Sequence, residues 1–266
     1  MSWSAERAVA RRAALAGASV VAAAMRDGPR SVRHKGAVDL VTEVDLAAER
    51  AVRAVLEADT PYPVMGEEGG GAAGASARWV VDPLDGTTNF VHGFPVFAVS
   101  VGLEVDDVSV AGAIADPIGG RVYEAARGEG AWVGDTRLAV SQTASLAAAL
   151  VATGFPYDRR ENAALYLEQL RRVLVRAQCV RRAGAATMDL VWTASGQLDA
   201  FFENHLHRWD VCAGVLLVEE AGGRVTGIDG GALDRDDVCF VVSNGRIHDA
   251  LVRAIQEDRD GPSTER

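Results

Sequence analysis

Cysteine is scarce. Three residues, Cys179, Cys212 and Cys239, are too few and too scattered for a disulfide framework, and none stands at metal-ligand spacing from another. They read as reduced core residues of a cytoplasmic protein. Positive charge is also short: 27 Lys and Arg against 37 Asp and Glu leave a formal charge of -10. That balance excludes a surface built to grip a phosphate backbone or an acidic membrane, so neither direct nucleic-acid binding nor a membrane is expected. The one locally basic stretch, RRVLVRAQCVRR at 171–182, reads as a solvated helix face or a subunit contact. Long apolar runs are missing too. The alanine-rich start carries one over residues 13–25, too short for a bilayer, and Glu6 followed by Arg11 and Arg12 does not fit a signal peptide. No repeat or low-complexity linker divides the chain.

What is present suffices for a substantial core, since 48% of the 266 residues are hydrophobic. The pattern predicts an amphipathic first helix, capped near Ser2 or Ser4 and stopped by Asp27-Gly28-Pro29, and a second from about Asp45 to Glu57. Strands follow at RWVV, VFAVSVGLEV, DVSVAGAIADP and RVYEAARG, with a hairpin turn at Pro117, Gly119 and Gly120, and another strand within 131–140. This is antiparallel sheet fronted by helices. From about residue 146 strand and helix alternate, which predicts a layered α/β unit. The expectation is α+β: one domain spanning 1–266, with lobes of about 1–145 and 146–256, a frayed tail at 257–266, and a site in the cleft between the lobes.

Directly after RWVV comes DPLDGTT. In a continuous strand Asp82 and Asp85, three positions apart, would face opposite sides of the sheet. Pro83 removes a ladder donor and Asp85-Gly86 is a turn signal, so the strand is expected to end at Asp82 and the turn to bring both carboxylates to one point. Asp-Pro and Asp-Gly are also ordinary turn dipeptides, and the stretch alone fits a plain loop equally well.

Three more acidic positions stand out. Glu67 lies in VMGEEGGG, after a short strand and before glycines that permit close approach of the backbone. Asp210 opens an apolar helix and Asp45 precedes another, where either can serve merely as an N-cap. If Glu67, Asp82, Asp85 and Asp210 converge, each pair about 5 Å apart repels by roughly 3 kcal/mol at an effective dielectric of about 20, so the group requires a counter-charge. An all-oxygen donor set suits Mg2+ or Mn2+ rather than zinc, and Mg2+ is commonly bound alongside a substrate phosphate. Backbone N–H groups in DGTTNF offer an anion site. Carboxylates for metal and amides for phosphate describe a phosphatase.

WVVDPLDGTTNF, with GEE upstream and WDVCAGVLLVEEAGG downstream, resembles the inositol monophosphatase family of Mg2+-dependent, lithium-sensitive phosphatases over roughly residues 5–255. The resemblance implies an αβαβα layered sandwich, as in inositol monophosphatase and fructose-1,6-bisphosphatase, and a homodimer. It places metal ligands on Glu67, Asp82, the Leu84 carbonyl, Asp85 and Asp210, for two or three Mg2+ per site. Thr87 and Glu67 are then expected to orient the attacking water, with Asp45 supporting the Thr87 hydroxyl. Phosphate falls on the amides of Gly86 and Thr87, and the alcohol on Asp85, Gly184, Ala185, Ala186 and Glu203. Lys35 aligns with a basic residue near the metal loop, at a spacing one residue shorter than in familiar relatives.

The substrate implied is a small phosphate ester. Relatives acting on histidinol phosphate often carry arginine after DGT and those acting on adenosine bisphosphates often lysine. DGTTNF is closer to the inositol type, and Glu203 can accept hydrogen bonds from ring hydroxyls. Histidinol phosphate and fructose 1,6-bisphosphate are the alternatives within the family. The alternative of another class is a protein docking on transcription machinery. His92, His205 and His207 are expected to be structural or surface residues, with His207 at the cleft, and Trp209 to pack against the helix bearing Asp210. The glycine clusters at 69–74 and 128–134 read as loop and turn, because neither lies between a parallel strand and a helix.

Overall fold

The computed structural model describes residues 2–27, 32–34, 40–72 and 74–257. Lys35 and the tail at 258–266 lie outside them. Helix α1 (Ser4–Asp27) leads to a short antiparallel pair, β1 (Val32–His34) and β2 (Leu40–Thr42), and then to α2 (Glu43–Asp59). A seven-stranded sheet follows, in order β3 (Val64–Gly66), β4 (Ala77–Asp85), β5 (Ala98–Val105), β6 (Val108–Asp116), β7 (Arg121–Ala126), β8 (Gly130–Val133) and β9 (Thr136–Arg137). Only β3 and β4 pair in parallel, and α3 (Thr87–His92) sits between β4 and β5.

The second half contributes β10 (Leu150–Thr153), α4 (Arg159–Leu174), β11 (Cys179–Arg181), α5 (Ala186–Ala194), β12 (Ala200–Leu206), α6 (Arg208–Glu220), β13 (Arg224–Gly227), β14 (Val238–Ser243) and α7 (His248–Gln256). Its five strands run β11-β10-β12-β14-β13, parallel at β11-β10-β12 and antiparallel beyond. Strand β13 and the β1-β2 pair were not expected, being short segments with little apolar alternation.

The layers follow from which helices are apolar all round. Helix α6 buries every residue from Val211 to Val218, a pattern that fits only between two covering surfaces. It lies with α5 between the sheets, and Ala213, Leu216 and Leu217 share one core cluster with Ile114 of β6, Leu190 of α5 and Phe240 of β14. The approach is so close that a Cβ on Gly102 of β5 would stand 2.3 Å from Cys212 Sγ, which is why glycine occupies mid-strand there. Helices α1 and α2 cover the outer face of the large sheet, and α4 and α7 that of the small one. The order is αβαβα.

The window Ser4–Met25 of α1 is long and apolar enough to span a bilayer by length and composition, where the run at 13–25 had looked too short. In the fold its small residues Ala10, Ala13, Ala14 and Val21 are buried in one core with Val52 of α2 and Val99 of β5. Helix α2 begins two residues earlier than expected. Thr42, not Asp45, caps it: the Thr42 hydroxyl accepts from Val44 N at 3.1 Å, and the Asp45 carboxylate accepts from Thr42 N at 2.9 Å.

Candidate active site

Strand β4 does not stop at Asp82. It continues through Pro83 to Asp85 with a break in register, Asp82 pairing with Ser100 and Asp85 with Ala98, so three steps on β4 match two on β5. The extra residue is a bulge at the one residue without a donor. It reverses the parity of the alternation and sets Asp82 and Asp85 on the same side. The Asp82 carboxylate accepts from Leu84 N at 2.9 Å, closing the turn. Gly86 then adopts a left-handed backbone (φ 87°) as the cap of α3, a conformation glycine enters without cost.

Asp210 comes from the opposite direction. It is the third residue of α6, whose cap is His207 rather than Asp210 itself, and its Oδ2 accepts from His207 N at 2.7 Å. Capping and site-forming are therefore the work of one carboxylate. The start of α6 is pinned by Arg208, which meets Glu104 at 3.0 Å, Asp107 at 2.7 Å and Asp236 at 2.9 Å. Trp209 stacks on His207, ring centroids 4.6 Å apart.

Ligand oxygens of Asp82, Asp85 and Asp210 lie within 4.8 Å of one another. Glu67, Leu84, Gly86 and Thr87 line the same hollow, with Tyr157, His207 and Trp209 at its wall. Burial, followed by the charges of Glu67, Asp85 and Asp210, pushes the Asp82 carboxyl well above the ordinary carboxylate range. Asp85 is raised to about 6, again chiefly by burial, although Thr187 N donates to its Oδ2 at 2.7 Å and the Thr187 hydroxyl binds there too. Thr87 Oγ1 lies 3.0 Å from both Asp45 Oδ1 and the Leu84 carbonyl.

A second hollow adjoins, lined by Asp85, Gly86, Thr87, Gly184, Ala185, Ala186 and Glu203. The structure thus brings all the expected site residues to two contiguous hollows, with Asp45 one hydrogen bond behind. Several others come with them that the sequence alone did not single out. Arg182, Asp189, Arg159 and Gly154 line the second hollow. Asn89 ties the α3 turn to the loop before α5, its amide nitrogen 2.7 Å from Val96 O and 2.9 Å from Ala183 O. Asp189 is buried with Oδ1 lacking a hydrogen-bond partner, and its carboxyl and that of Glu203 are both raised, first by burial. The Asp189 signal was visible as an acid inside the apolar helix MDLVW; those of Thr187 and Asn89 were not.

Of the histidines, His205 and His207 both border the second hollow, and His92 ends α3. In the basic segment Arg171 and Arg172 share Glu168 at 2.6 and 2.9 Å, and Arg176 approaches Glu257 at 3.8 Å.

Residues 3–260 match the Inositol monophosphatase family. An inositol-1-monophosphatase of Rhizobium meliloti is 41% identical over 228 residues, covering 85% of this chain and 86% of that protein. The Nus factor SuhB of Pseudomonas aeruginosa is 42% identical over 233 residues, with 85% and 86% covered. Among solved structures, an inositol monophosphatase from Anabaena superposes with a TM-score of 0.87 at 36% identity, covering 95% of each chain.

Proposed function

The chain belongs to the inositol monophosphatase family of phosphomonoesterases, and on that footing we propose that it hydrolyses a polyol monophosphate of the myo-inositol 1-phosphate type. The observation that carries this reading is the pairing of an acidic cluster with an adjoining hollow edged by Glu203 and Asp189. Carboxylates only accept hydrogen bonds, and a ring of hydroxyls only needs acceptors and a few donors, here Arg182 and Arg159.

The donor set fits a hard divalent cation. Three carboxylates offer oxygens within 4.8 Å of one another, and one of them, Asp82, is buried and destabilised by the charges of its neighbours. Glu67, Asp82, the Leu84 carbonyl, Asp85 and Asp210 would hold Mg2+ or Mn2+, two or three ions per site. When bound, the metal supplies charge neutralisation and Lewis-acid polarisation for in-line displacement at phosphorus.

The remaining parts are the protein's own. Thr87, its hydroxyl anchored toward Asp45, and Glu67 orient the attacking water, while the amides of Gly86 and Thr87 hold the phosphate oxygens. Glu203, with Ala185 and Ala186 at the start of α5, seats the alcohol. Thr187 fixes Asp85 from the same helix, so substrate seating and metal-ligand geometry share one support. Rate enhancement then comes chiefly from positioning and preorganised charge. We read the working form as a cytoplasmic homodimer in which the whole chain acts as one domain. Leu165, Leu167, Leu174 and Val175, exposed on α4 and its end, offer apolar surface for a second copy.

Phosphate release measured with Mg2+, with and without Li+, across inositol 1-phosphate, histidinol phosphate, fructose 1,6-bisphosphate and adenosine 3′,5′-bisphosphate tests the substrate. The highest kcat/KM is expected for inositol 1-phosphate. A clear preference for another ester replaces the substrate named here, and no release from any of them favours a role in docking on other proteins.

A further inference from the structure

A second break in register, on the small sheet, assembles a different set of donors. Strand β12 pairs Glu203 with Phe240 and Leu206 with Val238, three steps against two, so an extra residue is accommodated opposite Cys239. His205 takes a left-handed backbone there, φ 51°, uncommon for a residue with a side chain. The result turns its imidazole onto the start of β14. His205 Nδ1 lies 2.7 Å from Asp237 Oδ1 and 3.7 Å from Cys239 Sγ, and the sulfur is 3.8 Å from Asp237 Oδ1. The three donor atoms fall within 4.8 Å of one another, and all three residues are at least partly exposed.

We propose that His205, Asp237 and Cys239 form a binding site for a borderline-soft divalent cation of the zinc class, at the rim of the substrate hollow. The donors are one nitrogen, one oxygen and one sulfur, the mixture that selects such ions, whereas the all-oxygen cluster selects Mg2+ or Mn2+. Zinc bonds of about 2.0 to 2.3 Å in a tetrahedron place donors roughly 3.3 to 3.6 Å apart, so two separations already fit and the third opens by about 0.6 Å. Three protein ligands leave the fourth position for water.

The surroundings favour a cation. His205 N donates to Cys239 Sγ at 3.4 Å and orients the sulfur, while burial first and the nearby acids hold the thiol above its ordinary range, so the ion itself must displace the proton. The Tyr166 ring meets the imidazole edge-on at 6.5 Å and is itself held by Asp158, 2.7 Å from its hydroxyl. Asp158 and Asp234 add negative charge on either side, reaching His205 and Cys239 respectively. The proton count is simple. On binding, the Cys239 proton goes to solvent, and the proton that His205 Nδ1 donates to Asp237 moves to Nε2 through solvent exchange, freeing Nδ1 to ligate. His205 also lines the substrate hollow, and Glu203 is two residues away on the same strand, so an ion here would stand at the mouth of the active site.

Cobalt(II) titration tests the site in the full chain under reducing conditions, with Mg2+ saturating to occupy the carboxylates. The expected result is a near-ultraviolet thiolate-to-cobalt charge-transfer band that saturates at one equivalent. It should be absent in Cys239→Ser, at least tenfold weaker in affinity in His205→Ala, and unchanged in Asp82→Asn. Far-ultraviolet circular dichroism and urea midpoints near those of the parent show that each variant is folded. No band in the parent protein, or a band that persists in Cys239→Ser and vanishes in Cys179→Ser, overturns the proposal. Because the readout is spectroscopic, it stands or falls separately from the phosphatase reading.

Discussion

Replacing Asp82 by asparagine should stabilise the metal-free protein and, in the same variant, remove its stabilisation by Mg2+. Asp82 is 1% exposed, and its ligand oxygen lies within 4.8 Å of those of Asp85 and Asp210. At such a separation an ionised pair repels by roughly 3.5 kcal/mol at an effective dielectric of about 20. Proton uptake relieves part of this, since burial and the neighbouring charges raise the Asp82 carboxyl. About 2 kcal/mol should remain for the substitution to recover, or roughly 4 to 8 °C in Tm for a chain of this size. Asparagine keeps the oxygen that accepts from Leu84 N, so the turn itself survives. Mg2+ at about 100 times its Kd adds about 2.7 kcal/mol to the parent and should add less than about 1 kcal/mol to the variant. Urea unfolding in EDTA and in Mg2+ measures both numbers. A variant less stable than the parent in EDTA, or equally stabilised by Mg2+, refutes the electrostatic account of the cluster.

Other consequences are more local. Glu203→Gln should raise KM for inositol 1-phosphate by about tenfold, because an amide donor replaces one of the oxygens that face the substrate hydroxyls, and leave hydrolysis of p-nitrophenyl phosphate near the parent value. Thr187→Val removes the hydroxyl on Asp85 but keeps the backbone donor at 2.7 Å. The variant should need several-fold more Mg2+ for half-maximal activity while recovering most of kcat at saturation. His248 is fully buried, its Nε2 2.9 Å from Thr226 Oγ1 and its Nδ1 2.9 Å from Ser243 Oγ. Burial first, then Arg224, depresses it from 6.5 to about 4. The unfolded chain therefore binds the extra proton first, and stability should fall as pH drops from about 6.5 toward 4, by about 2 kcal/mol between pH 7 and 5. Urea unfolding of the parent and of His248→Gln should show that this part of the acid limb is missing from the variant.

The order of helices and strands was legible because the apolar periods are strong and the turns carry Pro, Gly and Asp. The acidic cluster was legible as chemistry, since four carboxylates that converge repel one another and require a counter-charge. What sequence reasoning missed was how they meet. Pro83 was read as a stop, yet β4 continues through it and the bulge alone sets Asp82 beside Asp85. Asp210 and Asp45 looked like helix caps; both occupy the third helical position, where one carboxylate binds the cap backbone while lying next to the site. Thr187, Arg182 and Asn89 were silent because their importance lies in partners far along the chain, such as the 102-residue separation between Thr187 and Asp85. The same holds for His205 and Cys239, which become neighbours only through the second bulge.

A metal-dependent phosphatase that acts on a polyol phosphate through Asp82, Asp85 and Asp210 must stop turning over when either the ion or the cluster is removed. Release of inorganic phosphate from myo-inositol 1-phosphate, measured for the parent and Asp82→Asn in Mg2+ and in EDTA, tests it most directly. The parent should turn over in Mg2+ and not in EDTA, with at least a thousandfold loss in the folded variant. Turnover that survives either EDTA or the substitution contradicts it.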